Sequence, residues 1–319
     1  MNESSFHVVI DAVRDVASGI REFTFRRADG QPFPLYSAGS HVVVSVPAGE
    51  RPRRNPYSLL GDPNERMSWR IAVRRQEPSR GGSAWLHEQA RVGDRLDITA
   101  PMNLFPLIST ARSHLLVAGG IGVTPILSQA RELARRGADF EVHYAWRSPA
   151  HAAYVAELEA LAPGKVHHYD ESQGVRIDFK TLFAGRRLGT HFYICGPTPM
   201  VSAAMEGGAA MGWPATNLHS ERFASAEPGE PFDVLLARSG QRITVPADLS
   251  LLEALEQCGA PVNALCRGGA CGQCETPVLS AEGELLHHDV YLSDADKQAG
   301  KLVMPCVSRF KGACLTLDL

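Results

Sequence analysis

CRGGACGQC, residues 266–274, decides how the rest of the chain is read. It holds three of the seven cysteines, Cys266, Cys271 and Cys274, in the spacing C-x4-C-x2-C, and Cys306 follows 32 positions later in VMPCVS. A hydrophobic core does not gather cysteines in a glycine loop, and an odd, clustered set does not suit a disulfide framework. The stretch suits a loop whose backbone folds around a thiolate-bound centre. Gly268, Gly269 and Gly272 permit the positive backbone angles and close approach such a loop needs. Zinc is the competing reading, but structural zinc usually takes two short C-x2-C pairs, and only one is present.

With its distant fourth cysteine, the spacing is the one that binds plant-type [2Fe–2S] clusters. Two sulfide-bridged irons need four thiolates converging on a small volume. The loop supplies three, and Cys306 is the expected fourth. Backbone N–H groups aimed at the sulfurs help set the reduction potential. Cys258 and Cys314 are expected as packed small residues.

At 319 residues, with 44% hydrophobic and 21% charged, the chain reads as globular and as two or three domains. A formal net charge of −3 argues against a nucleic-acid partner. No run of about 18 apolar residues is present to span a membrane. The opening MNESSFHVVIDAV has no signal-peptide pattern, so a cytoplasmic, reducing setting is expected. Residues 228–319 carry 12 Asp/Glu and 7 Lys/Arg, a net of −5, while the remainder carries 23 acids and 25 bases, a net of +2. This excess is either a solvated surface or a docking face for a basic partner, and composition leaves both open.

Two breaker-rich seams divide the chain, one near Ala100–Pro106 and a sharper one, ASAEPGEP, at 224–231. Before the first seam, short β-branched or alternating runs (HVVVSV, WRIAVRR, DRLDIT) are separated by turn signals, which predicts an antiparallel barrel or sandwich. Between the seams, strands (HLLVAGG, FEVHYAWR, HFYICG) alternate with helices (PILSQARELARRG, AAYVAELEAL, MVSAAMEGGAAMG), which predicts a parallel α/β sheet. After the second seam come a hairpin, FDVLLARSGQRITVP, a helix, SLLEALEQCG, and the cysteine loop. The expected domains are 1–106, 107–226 and 232–319.

LLVAGGIGVTPIL, 115–127, runs an apolar strand through glycines into a helix, although it is not the G-x-G-x-x-G fingerprint. Gly119, Gly120 and Gly122 let a pyrophosphate approach the backbone, Thr124 is the expected N-cap, and Pro125 the first helical residue. YICGPTPM, 193–200, ends a second buried strand in Gly196–Pro197. Two such strand ends in one parallel sheet make a nucleotide crevice. An ordinary glycine-rich βα turn is the alternative for either one alone.

GGIGVTP followed by CGPTPM resembles the NAD(P)-binding half of the ferredoxin–NADP⁺ reductase superfamily. With the cysteine loop C-terminal, the order resembles the phthalate dioxygenase reductase family, class IA reductases that feed Rieske-type oxygenases. RNPYSL (54–59), RIAVRR (70–75), RGGSAWLHE (80–88) and PMNLFPL (101–107) resemble its flavin-domain motifs in order. The resemblance implies a three-part fold: an FMN-binding β-barrel, an NAD-binding α/β domain and a β-grasp ferredoxin domain.

The resemblance also implies roles. Tyr57 packs on the flavin and Ser58 bonds near its N5, with Val73 and Arg74 adjoining. The family's phosphate-binding Arg is replaced by Asn55, with Arg54 one residue earlier. Arg54, Arg74 and the amides of Gly81, Gly82 and Ser83 are the substitute candidates. Gly120, Gly122, Thr124, Pro125, Arg147, Ser148, Cys195, Gly196 and Pro197 are assigned to the nicotinamide nucleotide, and Asp170 to its ribose. Phe223, in HSERF, is the aromatic residue over the flavin, and Glu221 helps position nicotinamide. Ser58, Cys195 and Phe223 are nearest the chemistry.

The implied enzyme is an NADH-dependent oxidoreductase. Hydride passes from nicotinamide C4 to FMN N5, and electrons then pass singly to the [2Fe–2S] cluster. They leave for a terminal Rieske-type aromatic-ring dioxygenase, O-demethylase or monooxygenase of aromatic catabolism. A monomer is implied. The alternatives are a reductase of a cytochrome P450 or other acceptor, or an electron-transfer module whose flavin site is degenerate, an idea prompted by Asn55.

Overall fold

The computed structural model describes residues 5–48, 52–223, 226 and 228–319. The seam at 224–231 therefore falls partly outside the described residues. By its contacts the chain forms two units. Met1–Arg53, Tyr57–Gln76 and Ser83–Arg222 make the first; Arg54–Pro56, Glu77–Gly82 and Phe223–Leu319 make the second.

The first unit opens with β1 (Ser5–Ala17), β2 (Ile20–Arg27), β3 (Ser40–Val46), β4 (Arg53–Ser58, save its Arg54–Pro56), β5 (Trp69–Arg74), α1 (Gly82–Glu88, save its Gly82), β6 (Arg95–Thr99) and β7 (Met102–Asn103). Their sheet runs β4-β3-β6-β1-β2-β5, with β7 on β3. An antiparallel bridge from Leu59 to Ile71, with Leu60 N donating to Arg70 O at 3.1 Å, joins the two ends of that path. Closure removes exposed sheet edges. The period-2 pattern sends Val8, Ile10, Phe23, Phe25, Val42 and Val44 inward, where Phe33 stacks on Trp69 at 4.0 Å.

The same unit continues with β8 (Ser113–Gly119), α2 (Val123–Arg135), β9 (Phe140–Trp146), α3 (Val155–Leu161), β10 (Val166–Asp170), α4 (Phe179–Phe183), β11 (Thr190–Cys195), α5 (Thr198–Ala210) and β12 (Leu218–Glu221). All five strands are parallel, in the order β10-β9-β8-β11-β12. The winding direction reverses between β8 and β11, so a crevice opens at their C-terminal ends. The segment read as one helix from Ala152 is helical only over Val155–Leu161. Tyr154 is left-handed (φ 63°), and its hydroxyl is drawn to Glu22 Oε2 at 2.9 Å.

That contact belongs to the seam between barrel and parallel sheet. Ile20, Leu60, Ala72 and Phe105 share one apolar core with Leu116, Val123, Tyr144 and Tyr193. Buried Glu22 also takes Arg70 at 2.6 Å and Arg14 at 3.2 Å. Such a paired buried carboxylate ties both parts into one unit, because losing a partner leaves a costly uncompensated charge.

The second unit contains β13 (Phe232–Leu236), β14 (Arg242–Val245), α6 (Leu251–Gln257), β15 (Thr276–Leu286), α7 (Asp294–Ala299), β16 (Leu302–Val303) and β17 (Arg309–Leu317). The sheet order is β14-β13-β17-β15-β16, with β13 and β17 parallel. Leu251 and Leu255 of α6 pack against Phe232, Val234 and Leu317. Ser250 starts α6 with a reciprocal capping box to Glu253. A mixed sheet grasping one helix is the β-grasp arrangement. Among the described residues, no helix is long and apolar enough to cross a membrane.

Candidate cofactor sites

The loop after α6 brings the four cysteines together as two pairs. Cys274 and Cys306 sulfurs lie 3.3 Å apart, and the thiols of Cys266 and Cys271 hydrogen-bond to each other. A shared thiol proton lowers one sulfur of each pair, Cys266 to about 5 and Cys274 below its ordinary value, and raises its partner. Among the described residues, no three of these sulfurs lie within 4.8 Å of one another. A tetrahedral zinc, with bonds of about 2.3 Å, needs all four within about 4 Å of each other. Two separated pairs fit two irons.

The glycines of this loop hold it against the rest of the unit. Gly269 (φ 72°) lies where a Cβ would strike Val307 Cγ2 at 2.7 Å and Asp289 Cα at 3.1 Å. Gly272 (φ 76°) would strike the Tyr291 ring at 2.4 Å. Gly268 N donates to Cys266 Sγ at 3.4 Å. Asp289, with a fully buried side chain, accepts from Leu292 N at 2.8 Å and Ser308 Oγ at 3.4 Å, and faces Lys297 Nζ at 3.8 Å. Asp289 escaped sequence reading because its partners span 19 residues and no local pattern marks it. Arg267 is left-handed (φ 51°) and bonds Glu256.

The flavin candidates divide between the units. In the first, Ser58 ends β4 buried, and its Oγ has no hydrogen-bond partner among the described residues. Burial pushes the Tyr57 hydroxyl well above its ordinary range. Val73 is buried, its carbonyl meeting His87 Nε2 at 2.9 Å, while Arg74 ends β5 exposed. Ser83 Oγ accepts from Gln76 N at 3.3 Å. The orphaned Ser58 hydroxyl fits a ligand heteroatom.

In the second unit, a Cβ on Gly82 would lie 2.7 Å from Asn55 Oδ1, so Asn55 and the glycine loop are mutually fitted. Gly81 has φ 108°. Arg54 faces Glu256 at 3.6 Å and Arg80 pairs with Glu253 at 2.5 Å. Those acidic partners on α6 were missed, since nothing near 54 or 80 in sequence points to them. Phe223 is 47% exposed.

The nucleotide candidates meet at the β8/β11 reversal. A Cβ on Gly122 would lie 2.2 Å from Cys195 O, and one on Gly119 would meet Met200 Sδ and Pro197 Cδ at 2.7 Å. A Cβ on Gly196 would lie 3.1 Å from Gly119 Cα, a looser but still tight contact. Packing of the two strand ends therefore requires glycine at Gly122 and Gly119, and leaves little room at Gly196. Gly120 differs: it has φ 53° and open space around it.

The expected cap at Thr124 is corrected. A short 3-10 turn, Gly120–Gly122, precedes α2, whose N-cap is Gly122. Thr124 Oγ1 instead donates to Ile121 O at 3.1 Å, and Pro125 is the third helical residue. Arg147 is exposed after β9, Ser148 Oγ meets His151 Nδ1 at 2.8 Å, and Asp170 Oδ1 caps its own turn at Ser172 N.

Cys195 and Glu221 end neighbouring strands in register. Burial, then the nearby Glu221 charge, raises the fully enclosed Cys195 thiol far above its ordinary value. Burial also raises Glu221 to about 8, and its Oε2 has no hydrogen-bond partner among the described residues. Both are neutral groups at neutral pH, suited to binding an uncharged ring face.

Comparison with known proteins agrees with this geometry. Residues 234–311 match the family "2Fe-2S iron-sulfur cluster binding domain", and residues 103–218 match "Dimethylamine monooxygenase subunit DmmA-like, N-terminal domain". The chain is 50% identical over 312 residues, 98% of each protein, to the heme-dependent oxidative N-demethylase beta subunit of Ectopseudomonas mendocina (strain ymp). It is 43% identical over 316 residues, again 98% of each, to the carnitine monooxygenase reductase subunit of Acinetobacter baumannii. Among solved structures, phthalate dioxygenase reductase superposes with a TM-score of 0.89 at 35% identity, covering 99% of this chain and 98% of that one.

Proposed function

Since the chain belongs to the phthalate dioxygenase reductase family of flavin and [2Fe–2S] reductases, we propose how its own residues carry out electron delivery in a monooxygenase or demethylase system. The observation that carries the reading is the pairing of Cys266 with Cys271 and of Cys274 with Cys306. Bound flavin supplies conversion of a two-electron hydride donor into single electrons, and the bound cluster supplies one-electron transfer.

The four cysteines hold the cluster, and Gly268 N–H tempers the charge on Cys266 Sγ. Ser58 Oγ donates to the flavin ring and Tyr57 packs beside it. Arg54, Asn55, Arg74 and the amides of Gly81, Gly82 and Ser83 take the phosphate of FMN, with Asn55 serving as a neutral brace. Gly120, Gly122, Thr124, Pro125, Arg147, Ser148, Gly196 and Pro197 line the NADH crevice. Cys195 and neutral Glu221 would contact nicotinamide, and Phe223 is the aromatic residue that would cover the flavin ring. No side chain acts as a strong acid or base, because hydride transfer rests on proximity and orientation. The proposed domains are 1–106, 107–226 and 232–319, in a cytoplasmic monomer.

The terminal acceptor is a Rieske-type oxygenase or demethylase. A haem-dependent amine N-demethylase is the second reading, favoured by the 50% identical relative and the DmmA-like match over 103–218. Supplying the protein and NADH to each oxygenase, and measuring product formation coupled to NADH oxidation, separates the two: turnover with the Rieske-type partner alone supports the first reading, and turnover with the haem-dependent partner alone supports the second. For the electron path, Cys271→Ser should lose cluster absorbance while NADH still bleaches the flavin. An unchanged cluster spectrum in that variant would refute the ligand assignment.

A further inference from the structure

One face of the parallel sheet is apolar over β8 and β11, where Leu115, Val117, Phe192 and Ile194 pack with Leu182, Phe183 and Val201. Over β9 and the edge strand β10 the same face turns polar. FEVHYAW alternates, so Phe140, Val142 and Tyr144 enter the opposite core and leave Glu141 and His143 on this side. Register sets Glu141 beside Leu115, and His143 beside both Val117 and His167.

One ligand atom from each of Glu141, His143 and His167 lies within 4.8 Å of the other two. His143 is buried; its Nε2 meets Glu141 Oε1 at 2.9 Å and its Nδ1 meets the Tyr169 hydroxyl at 2.8 Å. The His143 and His167 rings stack with centroids 4.5 Å apart. His167 is exposed and, with Glu141, lines a cleft of about 290 Å³.

We propose that Glu141, His143 and His167 form a binding site for a divalent transition-metal ion of the zinc type, separate from the cysteine centre. Two imidazoles and one carboxylate suit zinc and its neighbours better than magnesium or calcium, which prefer oxygen alone. The cleft leaves the remaining coordination positions open to water. Burial lowers the pKa of His143, so it is a neutral ligand at neutral pH. The His143 hydrogen bond and the Arg186 charge hold Glu141 down to about 2, so it is anionic. When the ion takes the Nε2 lone pair, the ring proton relocates to Nδ1 and donates to the Tyr169 oxygen, with no net proton release. Arg186, 2.6 Å from Glu141 Oε1, competes with the ion. Bound metal would pin edge strand β10 to β9.

Holoprotein with its full iron and sulfide is dialysed against Zn²⁺ and the retained metal is counted. The wild type should hold one zinc per chain more than His167→Ala, with iron content and NADH-driven ferricyanide reduction the same in both. X-ray absorption of the zinc should show nitrogen and oxygen at about 2.0–2.1 Å. Arg186→Gln should bind zinc several-fold more tightly. Equal zinc in wild type and His167→Ala, no zinc in either, or a sulfur shell at about 2.3 Å overturns the site. Weaker binding in Arg186→Gln overturns the part given to Glu141.

Discussion

Glu221 sits at the end of β12 with a carboxyl pushed from 4.5 to about 8 by burial, beside the thiol of Cys195. The raised value means the folded state prefers the neutral acid. That preference costs nothing below pH of about 4.5. It weakens the fold progressively as pH rises toward about 8, by about 1.4 kcal/mol per unit at the limit. Glu221→Gln should therefore be more stable than the wild type at pH 8 and equal to it near pH 4.5. Denaturation midpoints across that range check this, and parallel losses in both proteins would count against it. Ser58 poses the opposite case, a buried hydroxyl with no partner among the described residues. Ser58→Ala should slow flavin reduction by NADH up to about ten-fold, the worth of one hydrogen bond, with little change in melting temperature. Stopped-flow reduction of the variant is the measurement.

At the level of elements, the two strand ends that frame the nucleotide crevice are pressed together more tightly than their sequences suggest. Gly122→Ala would place a methyl 2.2 Å from the Cys195 carbonyl, a backbone atom that cannot yield. We expect a loss of at least about 1–3 kcal/mol and a raised KM for NADH. Gly120→Ala meets open space and should lose only about 1 kcal/mol through its positive φ. Comparing the two melting curves distinguishes packing from conformational strain. The strands and most helices were legible because alternation and helical periodicity are local. So was the cysteine spacing, a direct imprint of cluster geometry. The cap of α2, the left-handed Tyr154 and the carboxylate of Glu22 were not. Each is set by a partner far along the chain: Gly122 by Cys195, Tyr154 by Glu22 at a separation of 132 residues. The acidic partners of Arg54 and Arg80, Glu256 and Glu253, were hidden for the same reason.

Across the whole molecule, charge is divided unevenly, with a net of −5 from 12 acids and 7 bases in residues 228–319. If this surface guides the acceptor, coupled turnover should fall steeply with ionic strength while flavin reduction by NADH stays level. Stopped-flow reduction and product formation at about 0.05 and 0.5 M salt test that, and a flat coupled rate would mean the excess is merely solvated. The paired sulfurs also bear on how the polypeptide must be matured. Cys274 and Cys306 sulfurs stand 3.3 Å apart, and Cys266 hydrogen-bonds to Cys271. Removal of two electrons from each pair by dioxygen would join all four ligands as two disulfides. Only Cys195, Cys258 and Cys314 would remain as thiols. The pairing that suits two irons is thus also one that an oxidant could close, so the same closeness that serves the cluster exposes its ligands to cross-linking.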